Sequence, residues 1–206
     1  MRAFRRTLHQ FQQRRSFSSA YSFAPERAVP VEQYSRSLSL LHWAIGGSIV
    51  TCVATVKMAQ WTKNKEWKGR LMNVHKSLAV VVTVLLPLRF GARYLSNIPK
   101  PLPGSKIEQL AGSLSHVALY GFMTLMPLSG IAMGYFSGFG VPFFFTKVPG
   151  SASPTPNKEL AGSIYKVHSI AGQVLTYFLP IHVGASFAHY FLKGHTQIFT
   201  RISPIR

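Results

Sequence analysis

Histidine is the residue type that carries chemistry in this chain. Its 206 residues include eight His, one Cys, five acids that are all Glu, and no Asp. So few carboxylates leave little for a paired acid–base site. The lone Cys52 excludes a disulfide framework, a thiolate zinc site and an iron–sulfur cluster. With His9 set aside, His42, His75, His116, His168 and His182 fall inside long apolar stretches, His189 closes the last of these, and His195 lies beyond it. An ionisable side chain in such a setting is costly and is read first as functional. Imidazole is an axial ligand of haem iron, so the spacing of these residues decides what they can hold.

The elements that must position them are long. Ser37–Val56 contains no charge. Ser77–Leu88 is likewise uncharged, and it extends to Val74–Tyr94 if Lys76, Arg89 and Arg93 snorkel. Gln109–Thr146 is uncharged for more than one span needs, and the Gly and Phe residues after Gly134 mark the end of a helix and the start of a loop. Val167–Leu192 is the fourth stretch. About 20 apolar residues cross a bilayer core of about 30 Å, so the sequence predicts an all-α, transmembrane four-helix bundle. The connections agree. Gln60–Arg70 is charged and carries Trp at its membrane edge, while Asn97–Lys106 and Pro149–Lys158 are rich in helix breakers. Pro87, Pro127 and Pro180 lie inside the spans, where neighbouring helices tolerate them.

Charge bounds the partners. Net charge is +18, yet hydrophobic residues are 47% and charged residues only 14%. A soluble nucleic-acid binder carries more charge and less apolar surface; the partner this composition fits is membrane lipid, with no nucleic acid. Lys and Arg divide nine to nine between the two sides of the four spans, so they do not orient the chain. Residues 1–25 hold Arg2, Arg5, Arg6, Arg14 and Arg15, several Ser and no acid, with Phe4, Leu8 and Phe11 at helical spacing. That is the composition of a mitochondrial transit peptide. Cleavage is expected after Phe17, which would remove five Arg and leave +13.

Topology then sorts the histidines. An odd-numbered span runs away from the amino-terminal side and an even one returns. His42, early in the first span, and His182, late in the fourth, therefore share one level; His75 and His168, each opening its span, share the opposite level. His168 and His182 are 14 residues apart, which at about 100° per residue returns to nearly the same helix face and at a rise of 1.5 Å separates them by about 21 Å. That geometry suits two haems stacked across the membrane, each held by two imidazoles. Small residues flank these positions: Gly46 and Gly47, Ala79, Ala171 and Gly172, Gly184 and Ala185. Without Cys or Asp nearby, two His per level are a thin set for zinc or copper. No Cys-x-x-Cys-His motif attaches haem covalently, and no dinucleotide or flavin motif supplies electrons internally.

These residues resemble the bacterial-type cytochrome b561 family, over about Tyr34–Ile202. The resemblance rests on Tyr34-Ser35-Arg36, Leu41-His42-Trp43, His75-Lys76-Ser77-Leu78, Leu88-Arg89, His116 through Tyr120, Leu125 through Gly130, Val167-His168, His182-Val183, Ala188-His189 and Phe191-Leu192-Lys193. The chain departs from the family pattern at Ser113, Tyr190 and Gly194. The resemblance implies a four-helix domain at residues 34–202 with two b haems, ligated by His42 with His182 and by His75 with His168. Arg36, Lys76, Arg89, His116 and His189 are candidate propionate or quinone contacts; His116 and His189 are also alternatives to His182 as a ligand. Lys166 is read as an interfacial cation. The function implied is an electron carrier of the mitochondrial inner membrane, exchanging electrons with ubiquinone, free or as a subunit of a respiratory complex. The alternatives are a non-redox accessory subunit that retains the fold, and an anchor of succinate dehydrogenase, whose usual motifs are not found here.

Overall fold

The computed structural model describes residues 32–151 and 156–205. The transit peptide expected at 1–25 lies outside these residues. Four long helices cross the fold: α1 (Arg36–Trp61), α2 (Lys65–Leu95), α3 (Lys106–Phe136) and α4 (Lys158–Phe191). Each is long and apolar enough to cross a membrane, and the chain is a multi-pass, all-α membrane protein. Between α3 and α4 lies a small antiparallel hairpin, β1 (Val141–Phe143) and β2 (Thr146–Val148), with Val141 opposite Val148. A short α5 (Gln197–Arg201) follows α4.

Each helix starts before its uncharged stretch because its start is capped by a polar residue outside it. The side chains of Ser35, Asn64, Ser105 and Asn157 accept from Leu38, Trp67, Glu108 and Leu160 backbone N–H groups respectively, which satisfies orphan donors of the first turn. Glu66, Glu108 and Glu159 then sit in the first turns of α2, α3 and α4, favourably placed against the helix dipole. The third stretch stops at Phe136 because Gly138 and Gly140 take positive φ of 77° and 70°.

Packing inverts the pattern of a soluble bundle. The core is small: Ile45, Val82, Leu86 and Met123, flanked by Ile49, Leu85 and Tyr120. Large aliphatics on the outer faces, among them Val84, Val117, Ile170 and Ile181, are 63–67% exposed. That is the surface hydrocarbon chains cover. Ser48, Thr51, Thr55, Thr83 and Thr124 return their hydroxyl protons to carbonyls four residues earlier, so few polar groups face lipid unsatisfied. α1 packs chiefly on α2 and α3 chiefly on α4; α2 also meets α3, and α1 and α4 touch least.

The two ends of the bundle are tied differently. At the amino-terminal end, Trp43 Nε1 donates to Ile202 O at 2.9 Å, Tyr34 N to Arg201 O at 3.1 Å, and Lys100 N to Glu32 Oε2 at 2.9 Å. Lys193 and Glu108 form an ion pair there. At the opposite end the hairpin tip is fastened to α2: Phe144 N donates to Ser77 Oγ at 2.7 Å and Asn73 Nδ2 donates to Phe144 O at 3.1 Å.

Candidate functional site

The hairpin end contains a cavity of about 650 Å³, within the range of cofactor sites. His75 from α2 and His168 from α4 both line it. Their ring centroids are 6.4 Å apart and their planes are nearly perpendicular, at 86°. Two metal–imidazole bonds of about 2 Å, added to two ring radii of about 1.1 Å, put the centroids of a bridged pair about 6 Å apart. The observed separation fits a metal held between the rings.

Hydrogen bonds on the outer sides of the rings decide which nitrogens remain. His75 Nδ1 lies 2.9 Å from Cys52 O. A carbonyl only accepts, so this nitrogen carries the proton and Nε2 keeps its lone pair. Cys52 Sγ in turn donates to His75 O at 3.4 Å, locking α1 to α2 at this level. His168 Nδ1 lies 2.8 Å from Ser129 Oγ. The Ser129 hydroxyl also contacts the carbonyls of Leu125 at 2.6 Å and Met126 at 3.0 Å, and those carbonyls take its proton. Ser129 Oγ is then an acceptor toward His168, whose Nδ1 is protonated and whose Nε2 is free. Orientation of each ligand by a bond at its other nitrogen is the usual support of a metal-binding imidazole. Among the described residues no group of three or more His, Cys, Asp or Glu is placed to hold a bare metal ion, so the histidines act as a pair.

The amino-terminal end is built otherwise. His182 from α4 meets His116 from α3, with ring centroids 5.6 Å apart and planes at 77°. The His42 ring lies edge-on to Trp43 at 5.5 Å, within electrostatic reach of His182, His116 and Arg89. The ring that faces His182 is thus that of His116, where topology alone paired His182 with His42. Arg89 sits with its Cζ 5.6 Å from the Tyr120 ring centroid. Its Nε and Nη1 are buried and donate to nothing among the described residues. A buried guanidinium without an acceptor is costly, and an anionic group such as a haem propionate would satisfy it. His189 Nδ1 is also buried with no hydrogen-bond partner among the described residues, and its ring lies 5.8 Å from that of His195.

The remaining candidates scatter. Lys76 lines the hairpin-end cavity, as do Lys57 and Lys68, which spacing gave no reason to single out. Arg36 is exposed at the first residue of α1, and Lys166 is exposed on α4. Of the small residues, a methyl added at Gly46 or Gly47 would meet nothing within 4 Å, whereas one at Gly172 would meet Met126 Cε at 3.3 Å and one at Gly130 would meet His168 Cε1 at 3.4 Å. The Cys52 carbonyl, Ser129 and the hairpin latch were not foreseen. Ser129 lies 39 residues from His168, and no local signal links the two.

Residues 33–200 match the family described as prokaryotic cytochrome b561. The chain is also similar to cytochrome b561 homolog 1 of Escherichia coli (strain K12), with 27% identity over 179 residues, covering 85% of this chain and 99% of that protein.

Proposed function

This chain belongs to the prokaryotic cytochrome b561 family of membrane haem-b electron-transfer proteins, and from that premise we propose that it is a di-haem cytochrome exchanging electrons with ubiquinone in the mitochondrial inner membrane, free or within a respiratory complex. The observation that carries the proposal is the facing of His75 and His168 across the cavity, each with Nδ1 hydrogen-bonded outward and Nε2 left for iron. These two residues hold one haem. His42 and His182 hold the other, with His116 as a third imidazole beside them. Lys76 at one end and Arg89 at the other offer cations to propionates; His189, and Arg36 nearer the surface, are left as quinone or propionate contacts. The chemistry haem b supplies with both axial positions filled is one-electron transfer without an open site for oxygen. The protein's own contribution is to hold the imidazoles in one tautomer and to keep water out with lipid-facing helices and the hairpin. The arginine-rich, acid-free residues 1–25 support mitochondrial import.

The test is a stoichiometric spectrum. Pyridine haemochrome of the purified full chain is expected to approach two b haems, both reducible by ubiquinol. A reproducible value of one would remove a ligand pair; haem that quinol leaves oxidised would remove the ubiquinone assignment; absence of haem would leave the accessory-subunit alternative. Mass spectrometry of the mature amino terminus is expected to lack the first 17–25 residues, and recovery of peptides spanning Phe4–Phe11 from mitochondrial membranes would count against import with cleavage.

A further inference from the structure

We propose that Ser129 is a positioning residue for the hairpin-end haem: by accepting the Nδ1 proton of His168 it fixes the ligand's tautomer and ring direction and sets that haem's reduction potential apart from the other's. The proposal rests on His168 being an axial ligand, and its test separates the two claims.

Ser129 is 8% exposed, so solvent does not replace what it offers. Its hydroxyl proton has two carbonyls to choose from, Leu125 O at 2.6 Å and Met126 O at 3.0 Å, both on its own helix. Its oxygen is therefore presented as an acceptor, 2.8 Å from His168 Nδ1. A Cβ at the neighbouring Gly130 would stand 3.4 Å from His168 Cε1, at the near edge of ordinary van der Waals contact, so the ring packs closely against α3 there. The serine that accepts from the nitrogen and this close packing of the adjacent carbon favour one ring orientation.

The two ligands of this site differ in an instructive way. The acceptor for His75 is the main-chain carbonyl of Cys52, which no substitution removes. His168 has the Ser129 side chain as its 2.8 Å acceptor, with the Met126 carbonyl also in reach of the ring, so its closest acceptor is open to variation. An acceptor on Nδ1–H makes an imidazole a stronger donor to iron and stabilises the ferric state. Removing it is expected to raise the potential.

The experiment uses Ser129→Ala and Ser129→Thr in the full chain, with potentiometric titration and low-temperature electron paramagnetic resonance of both haems. Ser129→Ala is expected to move the midpoint of one haem upward by about a tenfold change in its one-electron equilibrium, which is about 59 mV. It should also alter that centre's low-spin signal and weaken retention of that haem about 10–100-fold. Ser129→Thr, which keeps the hydroxyl, is expected to restore the potential. The other haem is the internal control. If Ser129→Ala leaves both potentials unchanged, shifts both alike, or shifts the one downward, the proposal fails. It also fails if Ser129→Thr retains its haem yet behaves as Ser129→Ala, or if both variants lose haem at this level. His168→Ala decides the underlying assignment: if it retains both low-spin centres, His168 is not a ligand; if it loses one while Ser129→Ala changes nothing, only the role of Ser129 is wrong.

Discussion

The hairpin end and the amino-terminal end carry the same residue type toward the same chemistry, yet one is fully provided for and the other is not. At the hairpin end two imidazoles face each other and both outer nitrogens have acceptors. At the amino-terminal end His116 and His182 face each other with His42 in electrostatic reach, and Arg89 Nε and Nη1 and His189 Nδ1 are buried with no hydrogen-bond partner among the described residues. A satisfied polar network holds one geometry, whereas a partly satisfied one needs a further group to complete it. The first end is preorganised around its pair of imidazoles, which the proposed function makes ligands. The second has capacity left for propionates and for a substrate, which favours it as the place where electrons are exchanged with a carrier from the membrane.

The largest effects test the ligands themselves. His75→Ala and His168→Ala are each expected to abolish the same low-spin centre, halve haem content and leave the other signal intact. His42→Ala and His182→Ala are expected to remove the second centre, and His116→Ala to keep it. Loss of that centre in His116→Ala with retention in His42→Ala would make the third imidazole the ligand and redraw the contrast between the ends.

Next in size is Arg89→Gln. The neutral amide cannot answer a propionate charge, so retention of the amino-terminal haem is expected to fall about 10–100-fold against a haem-scavenging protein, while the hairpin-end haem stays. Equal loss from both ends would show that Arg89 serves the bundle as a whole. A smaller effect is expected from Gly140→Ala. Gly140 has φ of +70°, and a Cβ there would run into the Val148 carbonyl. The cost is expected near 1–3 kcal/mol, read as a lower melting temperature with earlier bleaching of the hairpin-end haem. Smallest is Ser77→Ala, which deprives Phe144 N–H of its acceptor. Loss of about 1 kcal/mol should speed amide exchange at Phe144 several-fold and leave the amino-terminal end unaltered.

How far the sequence disclosed this arrangement differed by length scale. The four spans were readable because uncharged runs of this length have few alternatives in a short chain. The helix starts were not: α2 begins at Lys65, well before Val74, because Asn64 caps it and Glu66 pairs with Arg70 at 2.7 Å, features that read as loop when apolarity is the guide. The hairpin was hidden inside an apolar run, and its turn places Phe144 at φ 51°, where glycine is the usual choice. The facing of His75 and His168 followed from counting turns and directions. The closeness of His116 to His182 did not, since it depends on how far α3 is rotated about its axis, and spacing within one helix says nothing of that.

The uneven packing of the helices bears on how the protein is made. α1 with α2, and α3 with α4, form two close pairs, while α1 and α4 scarcely meet. On the proposed ligation each haem draws one imidazole from each pair: His75 and His168 at one level, His42 and His182 at the other. Each iron would thus staple the two helix pairs together. A cofactor that binds only the assembled form adds its binding free energy to assembly. Newly made chain in a haem-starved cell would then persist as two loosely joined helix pairs with an open seam, a natural mark for degradation, and the abundance of the protein would follow haem supply without any dedicated sensor.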